Sequence, residues 1–432
     1  MKKWMFATLL ASTLTLPGCF FSGGCEDTPD ENEYLIETTL TQEALKAEDV
    51  PNVSPEDQKK WANQVNHLGH RFMTENYKRD ENIVFSPAAL HGTIAMAGYG
   101  ANGSTYDEIV QVLTLEDERD KATRLSANMM LNLRYDGQKE DSRFIMASNL
   151  WVDEKVSVSQ SFKDDMLSMF KAPVQIVNFL DYTFFVLETI KDWMMDITHE
   201  YLSQWIGSDN PEFMLVNATS FEGKWELPFD SSKTLESLFF GSTKDTLVDF
   251  MHLIYDFEYY ENDEKGYQAV IIPYMEGTFD MVIILPNNKE TAQDVLQNVS
   301  PEDFGTIMME AADTKLIELS LPKFDVSFDL PPEELISRLQ NIGIKEAFTE
   351  GLANFDIFSP SYNVFIDSFI HQAVISISEG GTNVDNTTTG TPDKVDDTKE
   401  VLQFNVDHAF AFALVHRSSG AIVYLGLMNE IE

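Results

Sequence analysis

Glu379-Gly-Gly-Thr-Asn-Val-Asp-Asn-Thr-Thr-Thr-Gly-Thr-Pro-Asp-Lys-Val-Asp-Asp-Thr398 is a polar run of twenty residues set between segments that read as strands. Before it, Phe369 to Ser378 alternates, with Ala373, Ile375 and Ile377 on one face and Gln372, Ser376 and Ser378 among the intervening positions. After it, 401–415 and 421–427 read as further strands. A structureless connection of this length inside a compact domain is uncommon and usually functional. A plain flexible linker would be rich in Gly and Ser, whereas the threonines and two valines here suit a pleated strand. The reading is of a loop able to become a strand.

With 432 residues and 43% apolar content the chain can bury a large core, although length alone does not divide one domain from two or three. Lys+Arg 30 against Asp+Glu 71 gives a net charge of −41, which repels nucleic acid and anionic membrane surfaces and favours basic partners. A solvating acidic surface reads the same charge equally well, so charge assigns no partner.

Met1-Lys-Lys followed by the mainly apolar run from Trp4 to Leu16 reads as a signal peptide over 1–18, too short for a permanent span. Its ending, Leu16-Pro-Gly-Cys19, resembles the lipobox of bacterial lipoproteins, which implies acylation at Cys19 and attachment to a cell envelope. Plain secretion with a Cys19 to Cys25 disulfide is the alternative, and those are the chain's 2 cysteines. Residues 19–60 read as a flexible tether, because eleven Asp or Glu face three Lys between Glu26 and Lys60.

The folded part, 61–432, opens with Trp61, Val65, Leu68 and Phe72 at helical spacing. Ser86 can cap a helix that carries Pro87 in its first turn. Further helices are expected over 105–115, 119–135, 160–171, 183–206, 291–312 and 332–341. Strands are expected at Phe144–Val152, Met214–Ser220, Val248–Tyr260, Tyr267–Pro273, Phe279–Leu285 and Leu316–Phe324. Helices followed by strands, without regular alternation, indicate an α+β class.

Several segments together resemble the serpin family, in the family's order and spacing from about residue 60 onward. They are Asn82-Ile-Val-Phe-Ser-Pro, Val216-Asn-Ala-Thr-Ser-Phe-Glu-Gly-Lys-Trp225, Pro273-Tyr274 with Leu285-Pro286, and Leu321-Pro-Lys-Phe324. To these add Ile342-Gly-Ile-Lys-Glu-Ala-Phe348, His371-Gln-Ala with Glu379-Gly-Gly-Thr382, and Asp407-His-Ala-Phe410 with Leu425-Gly426. The resemblance implies a serpin fold of three β-sheets and about nine helices with an exposed reactive loop. It implies a monomeric, suicide-type inhibitor of serine and also cysteine proteases without cofactor, in which a protease cleaves the loop and the loop inserts into the large sheet while still bound to the enzyme.

By the family's spacing from Glu379, the cleaved bond lies between Val395 and Asp396, with Lys394 as rival. Val395 suits an elastase-like serine protease and Lys394 a trypsin-like one. Glu379, Gly380, Gly381, Thr382, Val384, Asn386 and Thr388 match the hinge. Lys323 and Trp225 match the breach at the top of the sheet, and Ser86, Asn217 and His371 match a polar shutter beneath its centre. Read without the family, these last are a helix cap, a strand amide and a core histidine. The family's second shutter serine is Ala89 here, which implies a thinner network.

One departure bears on function. The family's inhibitors carry small residues through the hinge, whereas this chain has Asn383-Val384-Asp385-Asn386-Thr387. If Thr382 faces the core on insertion, so do Val384, Asn386, Thr388, Gly390 and Pro392. Burying the Asn386 amide unsatisfied costs about 1–3 kcal/mol. Each 1.4 kcal/mol added to the insertion barrier slows the trap about tenfold, which makes a non-inhibitory protein the alternative: a protease substrate or a binding module. An enzyme has little support, since His199-Glu200 lacks a second His, there is no Gly-x-Ser-x-Gly elbow, and His67 with His70 has no acidic partner for a metal.

Overall fold

The computed structural model describes residues 35–37, 44–116, 118–198, 210–290, 292–310, 314–384 and 400–431. Its strands are β1 Leu35–Glu37, β2 Ile83–Phe85, β3 Ser142–Asp153, β4 Gln175–Val177, β5 Phe213–Lys224, β6 Leu235–Phe240, β7 Asp245–Asn262 and β8 Tyr267–Pro273. They continue with β9 Phe279–Pro286, β10 Thr314–Pro322, β11 Phe324–Asp329, β12 Ser368–Ile377, β13 Gly381–Thr382, β14 Leu402–Asn405, β15 Phe410–His416 and β16 Ala421–Met428. The helices are α1 Pro55–Glu75, α2 Pro87–Gly100, α3 Gly103–Val112, α4 Arg119–Asp136, α5 Gln160–Phe170, α6 Phe179–Thr198, α7 Ala292–Gln297, α8 Pro301–Glu310 and α9 Pro332–Asn341.

The expected class and helix count hold among the described residues. The helix foreseen at Trp61 starts six residues earlier, at Pro55, because Ser54 caps it by accepting from the Asp57 N–H. Leu35–Glu37, in the acidic stretch read as tether, pairs with β4 at the edge of a sheet. The single helix foreseen over 291–312 is two helices. Pro301 disfavours a helical Ser300 before it, and the Ser300 hydroxyl caps the new start at the Asp303 N–H.

Among the described residues two hydrogen-bonded sheets replace the three expected. One has the order β1-β4-β3-β5-β13-β12-β11, and the other runs β14-β10-β7-β8-β9-β15-β16-β2 with β6 on β7. The merger has a simple cause in the 18 residues of β7: its first part pairs with β6, its middle with β10 and its end with β8. Lys323 sits at the corner where the chain leaves β10 for β11 in the other sheet, and its N–H donates to Asp249 O.

Strand alternation gives the first sheet two apolar faces. Phe213, Leu215 and Phe221 of β5 enter the main core, while Met214, Val216 and Ala218 join Ile370 of β12 in a second cluster beneath α6. Helix α2 is apolar nearly all round and, apart from Tyr99, buried, packing between β5, β16 and α4.

Candidate functional site

The site is a split in the first sheet. Low down, β5 and β12 pair directly and in parallel, from Ser368↔Met214 to Ala373↔Thr219. Above that level they part. After Ile377 the chain makes a tight turn in which Ser378 and Gly381 exchange backbone hydrogen bonds, and β13 returns between the two strands, antiparallel to both. Thr382 pairs with Ile377 on one side and Gly223 on the other. Gly381 has φ +152, and a Cβ there would lie 1.9 Å from Gly223 O, so only glycine passes so close to the β5 backbone.

Aromatic side chains grip this turn. Trp225 is buried and donates from Nε1 to Ser378 O at 3.0 Å, while its backbone N–H donates to Gly380 O at 3.0 Å. Its ring stacks on Tyr274 at 4.4 Å, and the Tyr274 hydroxyl meets Thr382 Oγ1. Thr382 therefore faces the core, as alternation from the hinge implies. Tyr274 was legible only as part of a motif, since nothing in Pro273-Tyr274 says that its hydroxyl will meet residue 382.

Lys323 Nζ lies 3.2 Å from Glu379 Oε2, and Thr234 Oγ1 donates to Oε1 at 2.8 Å. Burial pushes the Glu379 carboxyl up, but hydrogen bonds from its own backbone, Thr234 and Lys323 outweigh this and hold it below the usual carboxylate range. An exposed pair would contribute roughly 0–1 kcal/mol. The Glu379 side chain, however, is only 6% exposed, so the pair does more than a surface contact.

Ser86, Asn217 and His371 come together at the lower, closed level. The Ser86 N–H donates to His371 Nε2 at 3.0 Å, which places the ring proton on Nδ1, 2.7 Å from Asn217 Oδ1. Complete burial pushes the His371 pKa down to about 3, so the ring is neutral. Asn217 Nδ2 then donates to Ser148 Oγ at 2.7 Å, and the Thr93 hydroxyl lies 2.8 Å from the same oxygen. The network is not thinner for having Ala89: Thr93 and Ser148 complete it, and Ala89 contributes its carbonyl to Thr93 at 2.9 Å. Thr93 lies two turns beyond Ser86 on the same helix face, a signal that spacing could have supplied.

Of the remaining expected residues, Val384 is half-buried just past β13, and its carbonyl accepts from Ser378 Oγ at 3.2 Å. Asn386, Thr388, Lys394, Val395, Asp396 and Cys19 lie outside the described residues. Among the described residues no group of His, Cys, Asp and Glu stands ready to hold a metal, and no helix is long and apolar enough to cross a membrane.

The first sheet is thus split between two parallel strands, with Gly381 and Thr382 at the start of the loop already seated in the split. The family model "Serpin (serine protease inhibitor)" matches residues 63–431, and the chain belongs to this family, whose members are generally protease inhibitors and not enzymes. Among relatives, intracellular coagulation inhibitor 2 of Tachypleus tridentatus is 27% identical over 409 residues, covering 92% of this chain and 97% of the relative. The serpin-like protein of Thermococcus kodakarensis is 26% identical over 98% of this chain and 99% of its own length. The native thermophilic serpin tengpin superposes with a TM-score of 0.75 at 20% identity, covering 88% and 96% of the two chains.

Proposed function

We propose that the chain is a suicide-type covalent inhibitor of serine proteases. The observation that carries this reading is the seating of Gly381 and Thr382 between β5 and β12, which starts the strand that the rest of the loop would complete. The protease's serine attacks the carbonyl of Val395, the Val395–Asp396 peptide bond breaks, and the acyl-enzyme ester ties enzyme to loop. The freed N-terminal arm of the loop then zips between β5 and β12 and carries the ester with it. Val395 directs the inhibitor to elastase-like enzymes, and cleavage after Lys394 would direct it to trypsin-like ones. In the same reading the monomer is exported and held on a cell envelope through acyl chains on Cys19.

A second reading, cleavage without trapping, draws support from the polar run that begins at Asn383, because a slow insertion loses to hydrolysis of the ester. Incubation with elastase-like and trypsin-like proteases separates the two. The inhibitor gives an SDS-resistant complex, with mass spectrometry of the released peptide starting at Asp396. Clean loop cleavage beside a fully active protease overturns it.

A further inference from the structure

The split in the sheet has an upper end, filled by Gly381 and Thr382, and a lower end where β5 and β12 close on each other. Between them lie backbone groups that face the gap: Phe221 O on β5, and Val374 O, Ser376 N–H and Ser376 O on β12. Left bare, such groups are costly. All four are satisfied by one residue, Asn383. Its N–H donates to Ser376 O at 2.8 Å, and Ser376 N–H donates to its Oδ1 at 2.8 Å. Its Nδ2 donates across the gap to Phe221 O at 2.9 Å and to Val374 O at 3.4 Å. The side-chain amide stands where the peptide group of an inserted strand would be, and it ties both rims together.

The backbone of Asn383 is not that of an inserted strand. Its φ of +51 is left-handed, a conformation Asn tolerates better than most residues, and it turns the chain out of the sheet just after Thr382. In a continued β strand the side chain after core-facing Thr382 would point to the opposite face, and the bonds to Phe221, Val374 and Ser376 would pass to main-chain groups. The three side-chain contacts of Asn383 therefore belong to the uncleaved form alone, while its N–H to Ser376 O is the ladder bond beside Thr382 that an inserted strand keeps.

We propose that Asn383 is a latch: a positioning residue whose amide substitutes for the next strand residue, stops insertion at Thr382 and must be released before the loop proceeds. The proposal rests on the reading of this chain as one that inserts its loop. Insertion speed then depends on residue 383 in a way that hinge composition alone does not disclose.

Uptake of a labelled synthetic peptide with the sequence of 382–392 by the uncleaved full chain tests it without any protease. Asn383→Ala removes the amide bonds and disfavours the left-handed backbone, while Asn383→Gly removes the same bonds and keeps that backbone open. Both variants are expected to take up the peptide about tenfold faster, the effect of 1.4 kcal/mol on a barrier. Both should also lower the melting temperature of the uncleaved chain and leave that of the loop-cleaved chain unchanged, which shows that the variants fold. Uptake at or below the native rate overturns the latch, and faster uptake by Ala alone assigns the effect to backbone strain and also overturns it. Protease complexes measured in parallel keep the two readings apart. Faster uptake without a protease complex overturns the inhibitor and leaves the latch standing, whereas complexes without a rate change overturn the latch alone. No uptake by any of the three chains overturns both.

Discussion

His371 donates from Nδ1 to Asn217 Oδ1 at 2.7 Å, and the two residues are direct ladder partners across β12 and β5. A strand inserted between them would move these neighbours from about 4.8 Å to about twice that separation, and the bond cannot span it. Asn217→Ala should therefore destabilise the uncleaved chain by about 1–3 kcal/mol and the loop-inserted form by much less. Denaturant midpoints of uncleaved and cleaved protein check this, and equal losses in both would show a purely general packing role.

Acid should weaken the fold through its buried histidines. Burial pushes the pKa of both His371 and His91 down to about 3, from an ordinary 6.5. Between those values the unfolded chain binds more protons, so this stability is full above about pH 6.5 and is lost as pH falls towards 3. Asp367 opposes it. Burial raises its carboxyl to about 7, so its own contribution is full below the ordinary carboxylate range and is lost as pH rises through 7. Two histidines against one aspartate leave a slope of roughly 1.4 kcal/mol per pH unit over about pH 4–6.5. Urea unfolding at pH 5 and pH 7 should show the native chain weaker at pH 5 and His371→Gln nearly indifferent.

Lys323→Ala leaves the Glu379 carboxylate nearly buried with no cation, held only by Thr234 and its own backbone N–H. Because Lys323 keeps part of its surface in water, the expected loss is about 1–2 kcal/mol, below that of a fully buried pair. The depressed Glu379 pKa fixes the sign with pH: its contribution is full above the usual carboxylate range and disappears on acidification. Thermal unfolding at pH 7 should separate variant from native chain, and the separation should shrink near pH 3.

Gly381→Ala places a methyl against the Gly223 carbonyl and forces β13 out of the split. The stack of Trp225 on Tyr274, which the hinge turn covers, should then loosen. A shift in tryptophan emission in the uncleaved chain, together with loss of protease complexes in favour of simple cleavage, is the expected pair of results. Unchanged complex yield would mean that residue 381 can enter the sheet in another conformation.

Much of the fold was legible because its signals are local. Helical spacing found the body of α1, alternation found β12, and the Ser86-Pro87 pair found the start of α2. The hinge and the polar row were legible only through spacing between distant motifs. Missing from that reading were Thr93, Ser148 and Thr234, and Tyr274 was there only as part of a motif; the roles of all four are made by contacts over 55 or more positions of chain. Ser148, Asn217 and His371 form a row at one level of three neighbouring strands, which no window of sequence displays. Asn383 appeared in that reading only as the first residue of the polar run. Its hydrogen bonds to Phe221 O, Val374 O and Ser376 reach two strands, at positions up to 162 away along the chain, which composition does not display.

The closed part of the first sheet is a parallel ladder of six residue pairs, Ser368↔Met214 through Ala373↔Thr219. In the proposed function, every pair the loop displaced would give up one parallel pairing and make two antiparallel ones, which are slightly more stable per residue. The exchange would be unfavourable only at its start, while the Asn383 amide bonds must break and little new ladder exists, and would become downhill as the loop advances. The six pairs would then act as a ratchet with a single stiff tooth, and control over the whole movement would be concentrated where the loop first meets the split.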